Sequence, residues 1–143
     1  MMRTFVLATL LAAGTLSLSA QTPAPELSKE MKALQGTWVL TTADGQAVDG
    51  STEIDLSVTG DSYTQLANGQ VVERGKIKLD ASKTPIAIDL MIQEGDDANK
   101  TQLGVLQIGE GTITCKLGTP GATERPKDFT PSDGAFTFTA KKR

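Results

Sequence analysis

Alternation of apolar and polar residues is the feature of this sequence that most constrains its fold. In the segment 52–58, Ile54, Leu56 and Val58 alternate with polar residues, and the segment 86–92 repeats the pattern with four apolar residues on one face. A period of two is typical of β-strands with one buried face. By alternation or by composition, strands are also predicted at 37–42, 62–66, 75–80, 101–108, 112–117 and 135–141.

Tight glycine-containing turns separate these strands. Asp44-Gly45, Gly60-Asp61 and Asn68-Gly69 each lie between two apolar runs, and Asn-Gly is the strongest short hairpin signal. No helical pattern intervenes, which excludes βαβ units and favours an antiparallel meander. Because closure leaves no exposed strand edge, the sequence predicts an all-β fold, an eight-stranded antiparallel up-and-down barrel. A β-sandwich is the structural alternative.

The first twenty residues have the pattern of a secretory signal peptide. A positive charge at Arg3 precedes an apolar run, and small residues lead to a cleavage site after Ala20. The domain division is therefore a signal peptide (1–20), a Pro- and Ala-rich flexible leader (21–27) and the barrel domain (28–143). We expect a periplasmic or secreted protein without a membrane span.

A short helix and a tryptophan precede the first strand. Leu27, Met31 and Leu34 recur at helical spacing, so a short N-terminal helix is predicted to pack on the barrel. Gly36 lets the chain turn into the strand, and Trp38 follows as a large buried ring. In a closed barrel the last strand lies beside the first, so a cation from residues 141–143 is expected over the indole.

Composition narrows the function classes. The chain has no histidine, which removes the commonest general base and metal ligand, and we predict neither an enzyme nor a cofactor or metal site. The net charge of −3 argues against nucleic acid as a partner. The single cysteine, Cys115, is interpreted as a buried thiol, with a reactive thiol as the alternative.

The long connection 118–134 holds two candidate ligand-binding residues. Arg125 is expected to clamp a carboxylate, either that of Asp89 or one on a ligand, and the structural clamp is favoured. Pro126 fixes the backbone beside it, and Phe129 is an apolar anchor in an otherwise polar loop.

Glu73 is the third candidate. It shares the odd-numbered face of its segment with Ile77 and Leu79, and a carboxylate inside a barrel is a candidate ligand contact. The alternative, which we favour, is that Gly75 marks a bulge that returns Glu73 to solvent.

Five short motifs give the chain a family resemblance. They are Leu-Gln-Gly-Thr-Trp at 34–38, Lys-x-Pro-x-Ala-Ile-Asp-Leu at 83–90, Gly-Val-Leu at 104–106, Arg-Pro-x-x-Phe at 125–129, and the final Arg143. The chain resembles an uncharacterised family of exported bacterial lipocalin-like domains of Planctomycetes type. The resemblance implies the barrel fold and a structural signature of Gly36, Trp38, Pro85, Asp89, Pro126 and Arg143, but no activity. Val105-Leu106 departs from the family's Ile-Tyr, so a role of that tyrosine does not transfer.

The leading functional hypothesis is an exported monomer that binds a small apolar or amphipathic ligand. An eight-stranded barrel is just wide enough to hold one small ligand or to be filled by its own side chains. The alternative is a protein-interaction or protease-inhibitor-like module with a filled barrel, whose partner is an extracytoplasmic protein.

Overall fold

A computed structural model describes residues 26–143. The predicted signal peptide and residues 21–25 of the predicted leader therefore lie outside the described residues. In chain order the elements are α1 (Lys29–Leu34), β1 (Gly36–Ala43), β2 (Gln46–Ala47), β3 (Ile54–Thr59), β4 (Ser62–Ala67), β5 (Gln70–Asp80), β6 (Ile86–Glu94), β7 (Thr101–Ile108), β8 (Thr112–Leu117) and β9 (Phe136–Lys142).

The sheet closes on itself into an eight-stranded antiparallel barrel. Strand β1 pairs with β3, each strand from β3 to β9 pairs with the next, and β9 returns to pair with β1. This closing pair excludes the sandwich and confirms the predicted barrel. The eight predicted strands correspond to β1 and β3–β9, whereas the two-residue β2 forms an unpredicted small hairpin with the end of β1.

The tight turns have the backbone that their residues predict. Asn68 and Gly69 have φ angles of 51° and 79°, and Asp44 and Gly45 have 49° and 82°. Two successive positive φ angles are typical of the type I′ turn, whose twist matches that of the flanking strands. These local signals set the strand register around both hairpins.

Helix α1 packs against one end of the barrel with its predicted apolar face. The Ser28 hydroxyl caps the helix by accepting a hydrogen bond from the Met31 amide at 3.1 Å. Met31 and Leu34 are buried, and Leu27 packs beside them. Gln35 then joins the helix to the β3–β4 turn, because its side-chain amide donates to the Gly60 carbonyl and accepts from the Gly60 amide.

Trp38 lies at the seam between the first and last strands. Its ring is 1% exposed, its Nε1 donates to the Leu34 carbonyl at 2.8 Å, and Lys142 Nζ lies 5.6 Å from the ring centroid. The predicted cation over the indole is therefore Lys142, the register partner of Trp38. Gly36 has a φ of +112°, and a Cβ there would lie 3.1 Å from Lys142 Cε, so glycine both permits the turn and leaves room for the lysine.

Arg143 fastens the same seam from outside. Its amide donates to the Thr37 carbonyl of β1 at 2.8 Å. Its guanidinium reaches across β1 to the start of β3, where it pairs with Glu53, the residue before the strand, and with Asp55 of β3 at 3.4 Å. The side chain therefore ties β9, β1 and β3 together.

The predicted inward-facing residues form the core. Six of them are buried and the others are partly buried against these: Val58, Ile77, Ile88, Leu90, Cys115 and Phe138, then Ile54, Leu56, Leu79, Ile86 and Phe136. Phe136 and Phe138 stack with ring centroids 5.6 Å apart. Period-two alternation therefore identified the buried face of β3, β5, β6, β8 and β9 correctly.

Candidate functional site

The interior of the barrel is largely filled by its own side chains. The cavity that remains is about 50 Å³ and is lined mainly by apolar residues from the barrel strands and α1. Typical small-molecule sites have volumes of about 300–1,000 Å³. Even benzene has been held in an apolar cavity of about 150 Å³. The lumen as it stands therefore accommodates no ligand of that size.

Cys115 contributes to this filled interior. The residue is 2% exposed, and burial raises the pKa of its thiol well above the ordinary value. A protonated, inaccessible thiol is a poor nucleophile. This confirms the buried-thiol interpretation.

The position of Glu73 contradicts the interpretation that we favoured, in which a bulge at Gly75 returns its side chain to solvent. Its register partner is Gln65, next to the Tyr63–Gly75 pair, so it stays on the inward face. The sheet does shift register here, but the additional residues are Val72 of β5 and Gln93 of β6.

The Glu73 carboxylate is engaged by the barrel itself. It accepts a hydrogen bond from the Tyr63 hydroxyl at 2.7 Å. Burial and this hydrogen bond to Glu73 raise the pKa of Tyr63 above its ordinary value. Glu73 therefore satisfies a buried phenol at the wall of the barrel.

The long β8–β9 connection lies across the outside of β6 and β7 and is fixed there by Arg125. One guanidinium nitrogen, Nη1, donates to the carbonyl oxygens of Ile88 and Gly104, both at 2.9 Å. The other, Nη2, donates to the Asp89 carboxylate at 2.6 Å. The predicted structural clamp is present, and it uses three of the five guanidinium hydrogens.

A second cation anchors the same loop. Lys116 faces outward on β8 but is only 7% exposed, because the loop covers it. Its ammonium donates to the Thr130 carbonyl at 2.5 Å and lies 3.9 Å from the Asp128 carboxylate. With both anchors in place the loop is a fixed wall against the barrel.

The edge of this loop and the β5–β6 turn border a groove that runs along the outside of the barrel to its rim beside α1, which we call the outer groove. It has two lobes that share Lys83, Thr84 and Pro85. The first lobe, about 360 Å³, is lined in addition by Lys78, Asp80, Ala87, Asp89, Val105, Arg125, Pro126 and Lys127. The second, about 500 Å³, is lined in addition by Glu30, Ala81, Ile86, Leu106, Gln107, Ile108 and Phe129.

The outer groove brings together two of the three candidate ligand-binding residues. Arg125 lines the first lobe and Phe129, which is half-buried, lines the second. Glu73 lines neither lobe. Of the structural signature, Pro85, Asp89 and Pro126 lie at the groove, whereas Gly36, Trp38 and Arg143 lie at the barrel seam.

Three lysines of the groove were missed as site residues. Lys78 and Lys127 read as ordinary exposed strand and loop positions, and Lys83 was noted only as part of a motif. The only sequence feature that these three residues share is a positive charge. They lie in one lobe because of the path that the loop follows, which the sequence does not give.

Residues 26–143 contain neither a candidate metal-binding cluster nor a helix that could span a membrane. No group of three or more His, Cys, Asp or Glu side chains is placed to hold a metal ion. Within the same residues, no helix has the length and apolar character needed to cross a membrane.

Comparisons of this chain with models of known families, with curated proteins and with solved structures find no match. The barrel is established by its own strand pairing. The resemblance to exported lipocalin-like domains stays a prediction from five short motifs.

Proposed function

We propose that this domain is a non-catalytic binding protein that holds an amphipathic small molecule in the outer groove rather than in the barrel lumen. The proposal includes export through the predicted signal peptide and membership of the lipocalin-like family that the motifs resemble. Of the expected apolar or amphipathic ligands it keeps the amphipathic ones, and it moves binding to the groove, where Arg125 and Phe129 lie but Glu73 does not.

The observation that carries the proposal is that the lumen is filled, whereas the outer groove offers space beside two candidate residues, Arg125 and Phe129. The lumen offers about 50 Å³, whereas the two lobes of the outer groove offer about 360 and 500 Å³. Both lobes combine polar or charged groups with apolar side chains, and the charged groups are concentrated in the first lobe. A few fixed polar groups beside an apolar wall are typical of ligand sites.

The walls of the groove are held together by contacts within the fold. One wall is built on β5, β6 and β7, and the other is the loop that Arg125 and Lys116 fasten to the sheet. A preformed site loses little conformational freedom on binding, which favours affinity.

An NMR titration tests the location of binding. We expect octyl-chain amphiphiles, added below their micelle concentrations, to shift the amides of Lys83, Ile108 and Phe129 and to leave that of Cys115 in the lumen unchanged. Phe129→Ala should weaken binding several-fold. Val72→Ala, which truncates an exposed apolar residue on the distant part of β5, is the matched control and should not. Shifts confined to lumen residues, or no shifts with any amphiphile, would refute the proposal.

The second candidate function is a protein-interaction module. The side-chain-filled barrel favours it, because such a barrel offers a partner only its outer surface. Size-exclusion chromatography of the protein purified from its own host tests it, since a stoichiometric protein partner would support it and a bare monomer would not.

A further inference from the structure

Positive charge gathers at the first lobe of the outer groove in a chain that is negative overall. Lys78, Lys83, Arg125 and Lys127 line this lobe together with only two acids, Asp80 and Asp89, so four cations and two anions give it a net charge of +2. The whole chain carries −3. Because surface charges act mainly within about 8–10 Å of themselves, a ligand in this lobe experiences the local excess.

The two acids are engaged by other groups. Asp89 pairs with Arg125 at 2.6 Å, so the charges of these two residues neutralise each other. Asp80 accepts hydrogen bonds from the Ser82 hydroxyl at 2.5 Å and the Ser82 amide at 3.0 Å, and these bonds, with smaller contributions from the charges of Lys83 and Arg125, lower the pKa of its carboxyl. Asp80 is therefore ionised at neutral pH and directed towards its own turn.

The three lysines of the lobe have no such partner. Within residues 26–143, Lys78, Lys83 and Lys127 form no ion pair with a carboxylate and donate no side-chain hydrogen bond. In the same part of the chain, Lys32, Lys76, Lys100 and Lys116 each pair with an acid, whereas Lys29, Lys141 and Lys142 outside the lobe do not. The lobe therefore holds three ammonium groups outside any ion pair, of which Lys83 lies near enough to Asp80 to help lower the pKa of its carboxyl.

The second lobe holds fewer charged groups than the first. Beyond Pro85 its lining includes Ala81, Ile86, Ile108 and Phe129, and its single charged residue apart from the shared Lys83 is Glu30. An apolar chain can lie here, whereas a second anionic group would meet the Glu30 carboxylate. The groove therefore fits a ligand with one anionic end and one apolar end.

We propose that the outer groove binds a single-chain amphipathic anion, a carboxylate or a phosphate monoester. Its anionic group lies among Lys78, Lys83 and Lys127, and its apolar chain lies against Ile86, Ile108 and Phe129. This proposal rests on the proposed function and assigns its ligand class. A fatty acid and a lipid phosphate share this chemistry, so the experiment includes a probe for each.

The test compares octyl chains that differ only in the head group. Octanoate, octyl phosphate, neutral octyl glucoside and cationic octyltrimethylammonium are titrated separately into the full domain at low salt, with the Lys83 and Phe129 amides as readout. We expect at least one of the two anions to bind about 10-fold more tightly than the neutral and cationic probes, since each lysine contributes a factor of about 2–5. Raising the salt concentration should remove most of that preference.

Charge-matched variants show whether the preference comes from these lysines. The triple variant K78Q/K83Q/K127Q should bind the preferred anion about 10-fold more weakly and octyl glucoside unchanged. The control K76Q/K100Q/K141Q removes the same charge from lysines outside the groove and should keep the anion preference.

Each outcome supports or overturns the inference. Tighter binding of octanoate indicates a fatty-acid ligand and tighter binding of octyl phosphate a lipid phosphate. Octyl glucoside that binds in the groove as tightly as both anions overturns the anionic assignment and leaves the proposed function standing. If no probe shifts the groove amides, both proposals fail.

Discussion

Replacing Arg125 with methionine tests whether one side chain fixes the loop that forms the groove. The substitution removes three hydrogen bonds that join this loop to Ile88, Asp89 and Gly104. Hydrogen bonds to charged groups contribute about 1.5–3 kcal/mol each when protected from water. The two side chains are 32% and 26% exposed, so solvent screening reduces each bond to about 1 kcal/mol.

Loss of all three bonds should therefore lower the free energy of unfolding by about 3 kcal/mol. For a domain of this length, about 4 °C of melting temperature corresponds to 1 kcal/mol, so the midpoint should fall by roughly 10 °C. The assay is urea unfolding followed by the fluorescence of Trp38, the chain's single tryptophan, which is buried. Amide exchange at Gly118 and Gly121, whose amides donate to carbonyls of β7, should become faster as the loop loosens.

Arg74→Met is the matched control. Arg74 forms one ion pair, with Glu94 at 3.2 Å, and both side chains are more than half exposed. Such pairs contribute about 0–1 kcal/mol. If Arg125→Met costs no more than Arg74→Met, the clamp does not hold the loop and the account of the groove wall is wrong.

Two further predictions concern the barrel wall and the buried thiol. Gly75→Ala should destabilise the domain by about 1–3 kcal/mol, because a Cβ there would lie 2.3 Å from the Met91 carbonyl oxygen and 2.8 Å from the Tyr63 ring. Gly50→Ala, where a Cβ meets nothing within 4 Å, should be neutral in the same denaturant titration, and equal effects of the two would contradict the packing. Because burial raises the pKa of Cys115 above its ordinary 9.0, the unfolded chain releases this proton at lower pH than the folded one. The free energy of unfolding should therefore fall by an additional ~1.4 kcal/mol per pH unit above pH 9, and Cys115→Ala should lack this component of the slope. An unchanged slope would show that the thiol ionises freely in the fold.

Much of the barrel could be predicted because its signals are local. Alternation in segments such as 86–92 gives the buried face, and Asn68-Gly69 gives the hairpin and its register. The contact of Trp38 with a C-terminal cation followed from closure, since closure makes the first and last strands neighbours, and the structure identifies the cation as Lys142. These inferences need only the covalent geometry of a strand and the cost of an open edge.

The groove could not be predicted in the same way. Arg125 donates hydrogen bonds to the carbonyl oxygens of Ile88 and Gly104. Every residue has a backbone carbonyl, so the sequence does not show which ones will accept these bonds. Whether the Glu73 side chain faces inward or outward depends on where the additional residues Val72 and Gln93 lie. Their positions are set by the pairing between strands. The lumen volume likewise depends on how side chains interdigitate, which composition does not give.

The clamp and the free lysines are physically connected. Lys78 of β5 is the register partner of Asp89 on β6, and opposite charges on facing residues normally pair. The Asp89 carboxylate pairs with Arg125 instead. Arg125 also donates hydrogen bonds to the carbonyl oxygens of Ile88 and Gly104, and these two bonds favour its position over that of Lys78. The ammonium of Lys78 is thereby left beside Lys83 and Lys127 at the first lobe. One side chain thus holds the wall of the groove and leaves the lysine charge of the proposed anion site unpaired, in a domain whose net charge is negative.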